Sequence, residues 1–156
     1  MSSTMTAAAA PRSYLGFDFG EKLIGVAVGG THSRLAEPLS TVAASKRGPD
    51  WIQITRLIEE WRPAALVVGL PLNMDGTPNV MTRAARRFGG ELQARYHLPV
   101  HYVDERLSTR SAKTVLYEAG IPGTRHKRRL DKLAAQTILQ AFLNDQVPTT
   151  NDPSGD

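Results

Sequence analysis

Between residues 14 and 28 the chain reads YLGFDFGEKLIGVAV, two short apolar runs joined by the polar turn Gly20-Glu21-Lys22. Successive side chains of a strand point to opposite faces. The pattern therefore predicts a β-hairpin whose first strand sets Leu15, Phe17 and Phe19 on one face and Tyr14, Gly16, Asp18 and Gly20 on the other. The first face is apolar and predicts a core. The second carries one acid between two glycines, residues that leave room for a close neighbour. A carboxylate held mid-strand costs energy unless it is hydrogen-bonded, paired or metal-bound, which makes Asp18 the first candidate site residue.

The rest of the pattern alternates between helical and strand periods. Residues 36–42 (AEPLSTV) predict a third strand, kept toward an edge by Pro38, and 46–50 a loop. Trp51, Ile54, Leu57, Ile58 and Trp61 recur at helical spacing behind Asp50 as N-cap, and Pro63 ends that helix. Residues 64–70 (AALVVGL) form a continuous apolar run suited to a strand covered on both faces. After the polar loop PLNMDGTPN, a helix is expected over 80–96, with Met81, Ala84, Ala85, Phe88 and Leu92 on one face and Gly89-Gly90 as its weak point. A strand over 99–103 leads into Asp104-Glu105-Arg106. Ser108 or Thr109 then caps a helix running to 119, residues 121–129 (IPGTRHKRR) read as a loop, and a last helix is expected over about 130–144. This order predicts an α/β domain, a mixed sheet with helices on its faces. Sites in open sheets of this kind gather at the carboxyl ends of the strands.

Two further acids stand where they can join Asp18. Glu105 follows the last strand, with Asp104 as its alternative, because strand neighbours point oppositely. Asp131 opens the last helix and shares a face with Ala134, Ala135, Ile138 and Phe142. The two alanines let that helix approach the sheet closely. Each acid has a plainer account: Asp131 as a helix cap, Asp18 as a turn residue, Glu105 paired with Arg106 or Arg110. Together, on three elements that a mixed sheet sets side by side, they point to a site for Mg²⁺ or Mn²⁺. Three close carboxylates repel unless protons or cations intervene. Hard divalent ions take oxygen ligands and keep several waters, and two such ions can activate water and stabilise the leaving oxygen in phosphodiester hydrolysis.

Charge adds a partner. Residues 106–132 hold eight lysines and arginines against Glu118 and Asp131, a local net of +6, which leaves −2 for the rest of a chain whose formal total is +4. A basic segment in an otherwise balanced domain suggests a polyanion, with a solvated loop as the plainer account. Arg125, Lys127 and Arg128 from that segment, Lys22 in the first turn, Asn73 in the polar loop (with the Gly76 backbone) and the planar fork of Arg106 are the candidate substrate contacts. The histidines show no metal spacing. The 156 residues, 41% hydrophobic, fit one domain over 13–146, with disordered tails expected over 1–12 and 147–156. Cysteine is absent, which excludes disulfides and thiolate metal sites. No apolar run is long enough to cross a bilayer, so a cytoplasmic protein without a membrane partner is expected.

Four segments, DFGEKLIGVAV, VVGLPLNMDGT, VDERLSTRSA and LDKLAAQTILQAFL, together resemble the YqgF/RuvX family in order and spacing, over almost the whole of 14–143. The resemblance implies an RNase H-like fold akin to the junction resolvase RuvC, with about five strands of which the first three are antiparallel. It implies a metal-dependent nuclease acting on the precursor of 16S rRNA or, as the alternative, on a four-way DNA junction. Matched motif by motif, the family's acidic site falls on Asp18, Glu105 and Asp131. Many RNase H-like nucleases carry a fourth acid near the last one. Here Lys132, Leu133 and Ala134 follow Asp131, which weighs against a tightly held second ion. A symmetric junction would favour a homodimer, whereas RNA trimming needs only a monomer.

Two other functions compete. The D-x-G hairpin also opens the actin-like ATPase and sugar-kinase fold, where it cradles nucleotide phosphates, but that architecture uses two such domains around a cleft. A non-catalytic nucleic-acid-binding module would have no need of the three acids.

Overall fold

The computed structural model describes residues 11–107 and 123–146, and their side chains except at 107, 123–129 and 146. The hairpin forms as expected, β1 (Ser13–Asp18) against β2 (Leu23–Gly30). β3 (Ala36–Ser45) returns beside β2 and runs three residues beyond the expected 36–42. The expected loop at 46–50 contains a two-residue strand, β4 (Gly48–Pro49), too short to leave a periodic signal. Then come α1 (Trp51–Trp61), β5 (Ala65–Leu70), α2 (Val80–Tyr96) and β6 (Val100–Asp104). A 3₁₀ turn (Glu105–Leu107) and α3 (Gly123–Gln146) complete the described chain.

The six strands lie in the order β4-β3-β2-β1-β5-β6. β1, β2 and β3 pair antiparallel, whereas β5 joins β1 and β6 joins β5 in parallel. The β2–β3 register slips so that Val26 faces Ser40 while Ala27 faces Pro38. Pro38, which has no N–H to donate, thus sits at a bulge. The helix ends follow their caps. The Asp50 carboxylate accepts from Gln53 N at 3.3 Å, and Asn79 Oδ1 accepts from Met81 N at 2.9 Å and Thr82 N at 3.1 Å.

Both faces of the sheet are core, as a mixed sheet with helices on its faces implies. Leu15, Phe17, Val26, Leu66 and Val68 pack against Ile54, Phe88 and Leu92 of α1 and α2. On the other face Tyr14, Ala27 and Val67 pack against Ala135, Ile138, Leu139 and Phe142 of α3. Tyr14 and Phe142 meet edge to face at 5.2 Å. The acid-bearing face is therefore a helix-docking face, and the alanines of α3 allow that docking.

Three more expectations change. α3 begins at Gly123, so the expected loop over 121–129 is helical from 123 and Asp131 lies inside a helix, not at its start; a cap role for Asp131 is removed. Arg12, placed in the expected tail, is tied down: Arg12 N donates to Thr31 Oγ1 at 3.0 Å and Thr31 N to Arg12 O at 2.9 Å. The expected helix over 108–119 and the tails over 1–10 and 147–156 lie outside the described residues.

Candidate active site

Asp18 is the last residue of β1 and is 6% exposed. Its antiparallel partner on β2 is Gly25. A side chain at Gly25 would point from the α3 face, because directly opposed residues share a face. That place is taken by the backbone of Asp131: a Cβ built on Gly25 collides with the Asp131 carbonyl group. The missing methyl therefore lets α3 touch the sheet directly beside Asp18, and Asp131 is brought there. Its Oδ2 atom is buried.

Glu105 arrives from the other side. β5 lies parallel to β1, and Gly69 stands one step beyond the Phe17–Val68 pair, level with Asp18. A Cβ on Gly69 would meet Glu105 Oε2 at 2.7 Å and Glu105 Cγ at 2.9 Å, besides the Ile138 side chain. The carboxylate thus lies over a glycine on the α3 face, at the carboxyl end of β5. The same geometry separates Glu105 from Asp104. Val103 packs into the α3 side of the core, and Asp104 turns to Arg106.

Asp104 and Arg106 form a local clamp. Arg106 Nη2 donates to Asp104 Oδ2 at 2.6 Å, Nε lies 3.1 Å from both carboxylate oxygens, and the Arg106 backbone N donates to Oδ1 at 2.9 Å. Arg106 Nη1 reaches across to the Met74 carbonyl at 3.1 Å. The guanidinium fork proposed for phosphate is thus engaged on Asp104, and the arginine ties the end of β6 to the polar loop. Asn73 is likewise used inside that loop. It donates from Nδ2 to Thr77 Oγ1 at 3.0 Å and accepts from Asn79 Nδ2 at 2.9 Å, while Gly76 N donates to the Asn73 carbonyl at 2.8 Å. Thr82 Oγ1 donates to the Pro71 carbonyl and closes the loop onto α2. Lys22 is exposed in the first turn. The side chains of Arg125, Lys127 and Arg128 lie outside the described side chains, on the first turns of α3.

The hydrogen bonds from Arg106 hold the Asp104 carboxyl below the usual aspartate range, and those from Thr77 do the same for Asp75. A carboxylate depressed in the folded state contributes fully above its unfolded pKa and loses that contribution as pH falls through the folded value. The loop tie should therefore stay closed across neutral pH and open only in acid. Proton NMR of the Thr77 amide and the Arg106 guanidinium through an acid titration checks this. Opening of the tie near neutral pH would contradict it.

Among the described residues no three histidine or acidic side chains are drawn into a finished metal cage. The donor set nonetheless fits a hard divalent ion: a buried aspartate, a second carboxylate with a buried oxygen beside it and a third on the next strand, all oxygen donors on one face. Mg²⁺ needs only one or two carboxylates besides water and substrate phosphate. The two glycines are the site residues that sequence patterning passed over. A three-residue turn over 20–22 would set Asp18 against Ile24, so the pairing with Gly25 comes only from the observed register, and the neighbour of Gly69 comes from a distant turn.

The family model for RuvX, described as a Holliday junction resolvase, matches residues 12–145. A protein of Nitrosococcus oceani named "Putative pre-16S rRNA nuclease" is 50% identical over 150 residues, 94% of this chain and 97% of its own. One of the same name from Chromohalobacter salexigens is 49% identical over 141 residues, 90% of this chain and 95% of its own. Among solved structures, the Fowlpox virus resolvase in complex with Holliday junction DNA superposes with a TM-score of 0.54 at 8% identity, covering 87% of this chain and 99% of that one. That likeness speaks to the fold alone, which is RNase H-like. With the family model spanning β1 to α3 and half of the residues shared with a full-length relative, the chain belongs to the RuvX family.

Proposed function

We propose that this protein is a metal-dependent nuclease that hydrolyses a phosphodiester bond in structured nucleic acid, with the precursor of 16S rRNA as its substrate. The observation that carries the proposal is the packing of the Asp131 backbone onto Gly25, directly opposite Asp18, with Glu105 laid over Gly69 on the neighbouring strand. The names of the relatives supply the RNA. Asp18, fixed on a strand and buried, has the least freedom and is the central ligand. Glu105 stands on the short 3₁₀ turn, and it orients the attacking water. Asp131 closes the site from the helix side. A bound Mg²⁺ or Mn²⁺ would lower the pKa of water and neutralise charge on the phosphate. The carboxylates hold the negative face of the site, the two buried cores exclude bulk water beneath it, and the Arg106 clamp keeps the polar loop in place at its rim. Lys22, Asn73 and the basic first turns of α3 contact the substrate backbone, and Arg106 acts through the loop that it orders.

The family description favours a second substrate, a four-way DNA junction. One preparation given labelled 16S precursor RNA, a four-way junction and ATP, with and without Mg²⁺ and with Asp18→Asn as control, separates these functions. Mg²⁺-dependent cutting of the RNA that disappears in the control supports the proposal. Cutting of the junction alone moves the assignment to DNA, and turnover of ATP alone removes the nuclease.

Neutralising Arg125, Lys127, Arg128 and Arg129 to glutamine should weaken binding across sequences and flatten its salt dependence. Each lost phosphate contact should lower the slope of log K against log salt by about 0.7 on single strands and about 0.9 on duplex. Fluorescence anisotropy across a salt series measures it, and an unchanged slope would remove this segment from the interface.

A further inference from the structure

The exposed face of α2 carries Arg83, Arg86 and Arg87, spaced i, i+3, i+4 and so on one stripe of the helix. None of the three is ion-paired among the described residues. Arg86 instead lies with its guanidinium carbon 5.6 Å from the ring centre of Tyr102 on β6, and the Tyr102 hydroxyl donates to the Arg86 carbonyl at 3.4 Å. Tyr102 is 38% exposed. It reaches that position only because Gly89 leaves space: a Cβ there would meet the ring carbons Cε1 at 2.8 Å and Cζ at 2.9 Å and collide with the hydroxyl. Glycine weakens a helix interior, so its presence at 89 has a physical use as the seat of an exposed tyrosine. Stacking occupies one face of a guanidinium and leaves its in-plane N–H donors directed outward. Those donors match phosphate oxygens. Tyr102 precedes Glu105 by three residues, roughly 10 Å along an extended chain.

We propose that Arg86, seated on Tyr102 and flanked by Arg83 and Arg87, is a second contact for the phosphodiester backbone, at the β6 edge of the sheet. It rests on the nuclease function proposed above and extends the substrate path from the acids over that edge onto α2. The contact reads no sequence, because it meets phosphate only.

The test is anisotropy binding without divalent ion, so that cleavage plays no part. The probes are a fluorescein-labelled 16S precursor RNA and a labelled four-way junction, each across a salt series. Arg86→Gln should weaken binding several-fold at low salt. The Arg83→Gln, Arg86→Gln, Arg87→Gln triple variant should lower the salt slope by about 2. Tyr102→Ala should reproduce much of the Arg86→Gln loss and Tyr102→Phe very little, since phenylalanine keeps the ring. Arg47→Gln, at the opposite edge of the sheet, is the charge control and should match the parent. A triple variant with the parent's slope would show these arginines to be a solvated face and overturn the proposal while leaving the nuclease intact. A parent that binds neither probe would overturn both.

Discussion

Asparagine at position 18, glutamine at 105 or asparagine at 131 should each remove nearly all cleavage while leaving nucleic-acid binding in place. Each change keeps the size and shape of the side chain, replaces one acceptor oxygen by an N–H donor and deletes one negative charge. The loss expected from any one is roughly 10³-fold or more in the single-turnover rate, the scale of losing one strong transition-state contact. Residues that act as one unit lose function non-additively, so the triple variant should be little worse than any single one. Binding should persist because it rests on basic side chains on other elements. The arrangement supports this grouping: Asp18 is 6% exposed, and Asp131 and Glu105 occupy the spaces above Gly25 and Gly69 on the strands flanking it. Losses that multiplied across the three positions would show independent roles instead of one unit.

The two glycines should fail in different ways. At Gly25 an added methyl meets the backbone of Asp131, and backbone in the middle of α3 moves only if the helix moves. Gly25→Ala should therefore destabilise the fold by about 1–3 kcal/mol or more, the range for overpacking a filled core, seen as a lower urea midpoint. At Gly69 the methyl meets the ends of two side chains, Ile138 and Glu105; the Glu105 side chain can swing aside, whereas the buried Ile138 must shift within the core. Gly69→Ala should cost less stability than Gly25→Ala, because only side-chain ends and no backbone must move. It should displace the Glu105 carboxylate, and an error of about 1 Å at a reacting centre is worth on the order of 10²-fold in rate. Stable protein with parental cleavage at Gly69→Ala would remove Glu105 from the site, and a Gly25→Ala variant of parental stability would contradict the helix contact.

Local signals carried much of this fold. The alternation around Asp18 gave the hairpin and its two faces, and α2 occupies residues 80–96 as its apolar spacing implies. What the chain hides is what distant segments do to each other. The docking of α3 on the acid-bearing face is implied by its alanines, but which residues meet is not: Leu139 and Phe142, more than a hundred positions away, cover Gly16 and Tyr14. The start of α3 was obscured because Arg125-His-Lys-Arg-Arg129 shows no apolar period, although arginine and lysine are good helix formers; that moved Asp131 from a helix end to its interior. The fork of Arg106 has two plausible partners in sequence, a phosphate and a neighbouring acid, and only the turn after β6 brings Asp104 to it at 2.6 Å. Gly89 read as a flaw in α2 until the tyrosine resting on it was located on β6.

The three acids acting together are tested most directly by Asp131→Asn, the member with the strongest alternative account as a residue that merely packs. The measurement is single-turnover cleavage of a substrate the variant still binds, followed across a Mg²⁺ titration beside the parent. The predicted result is almost no cleavage at the Mg²⁺ concentration that saturates the parent, with any residual rate appearing only at higher Mg²⁺. Cleavage by Asp131→Asn at the parent rate at low Mg²⁺ would contradict the three-acid site.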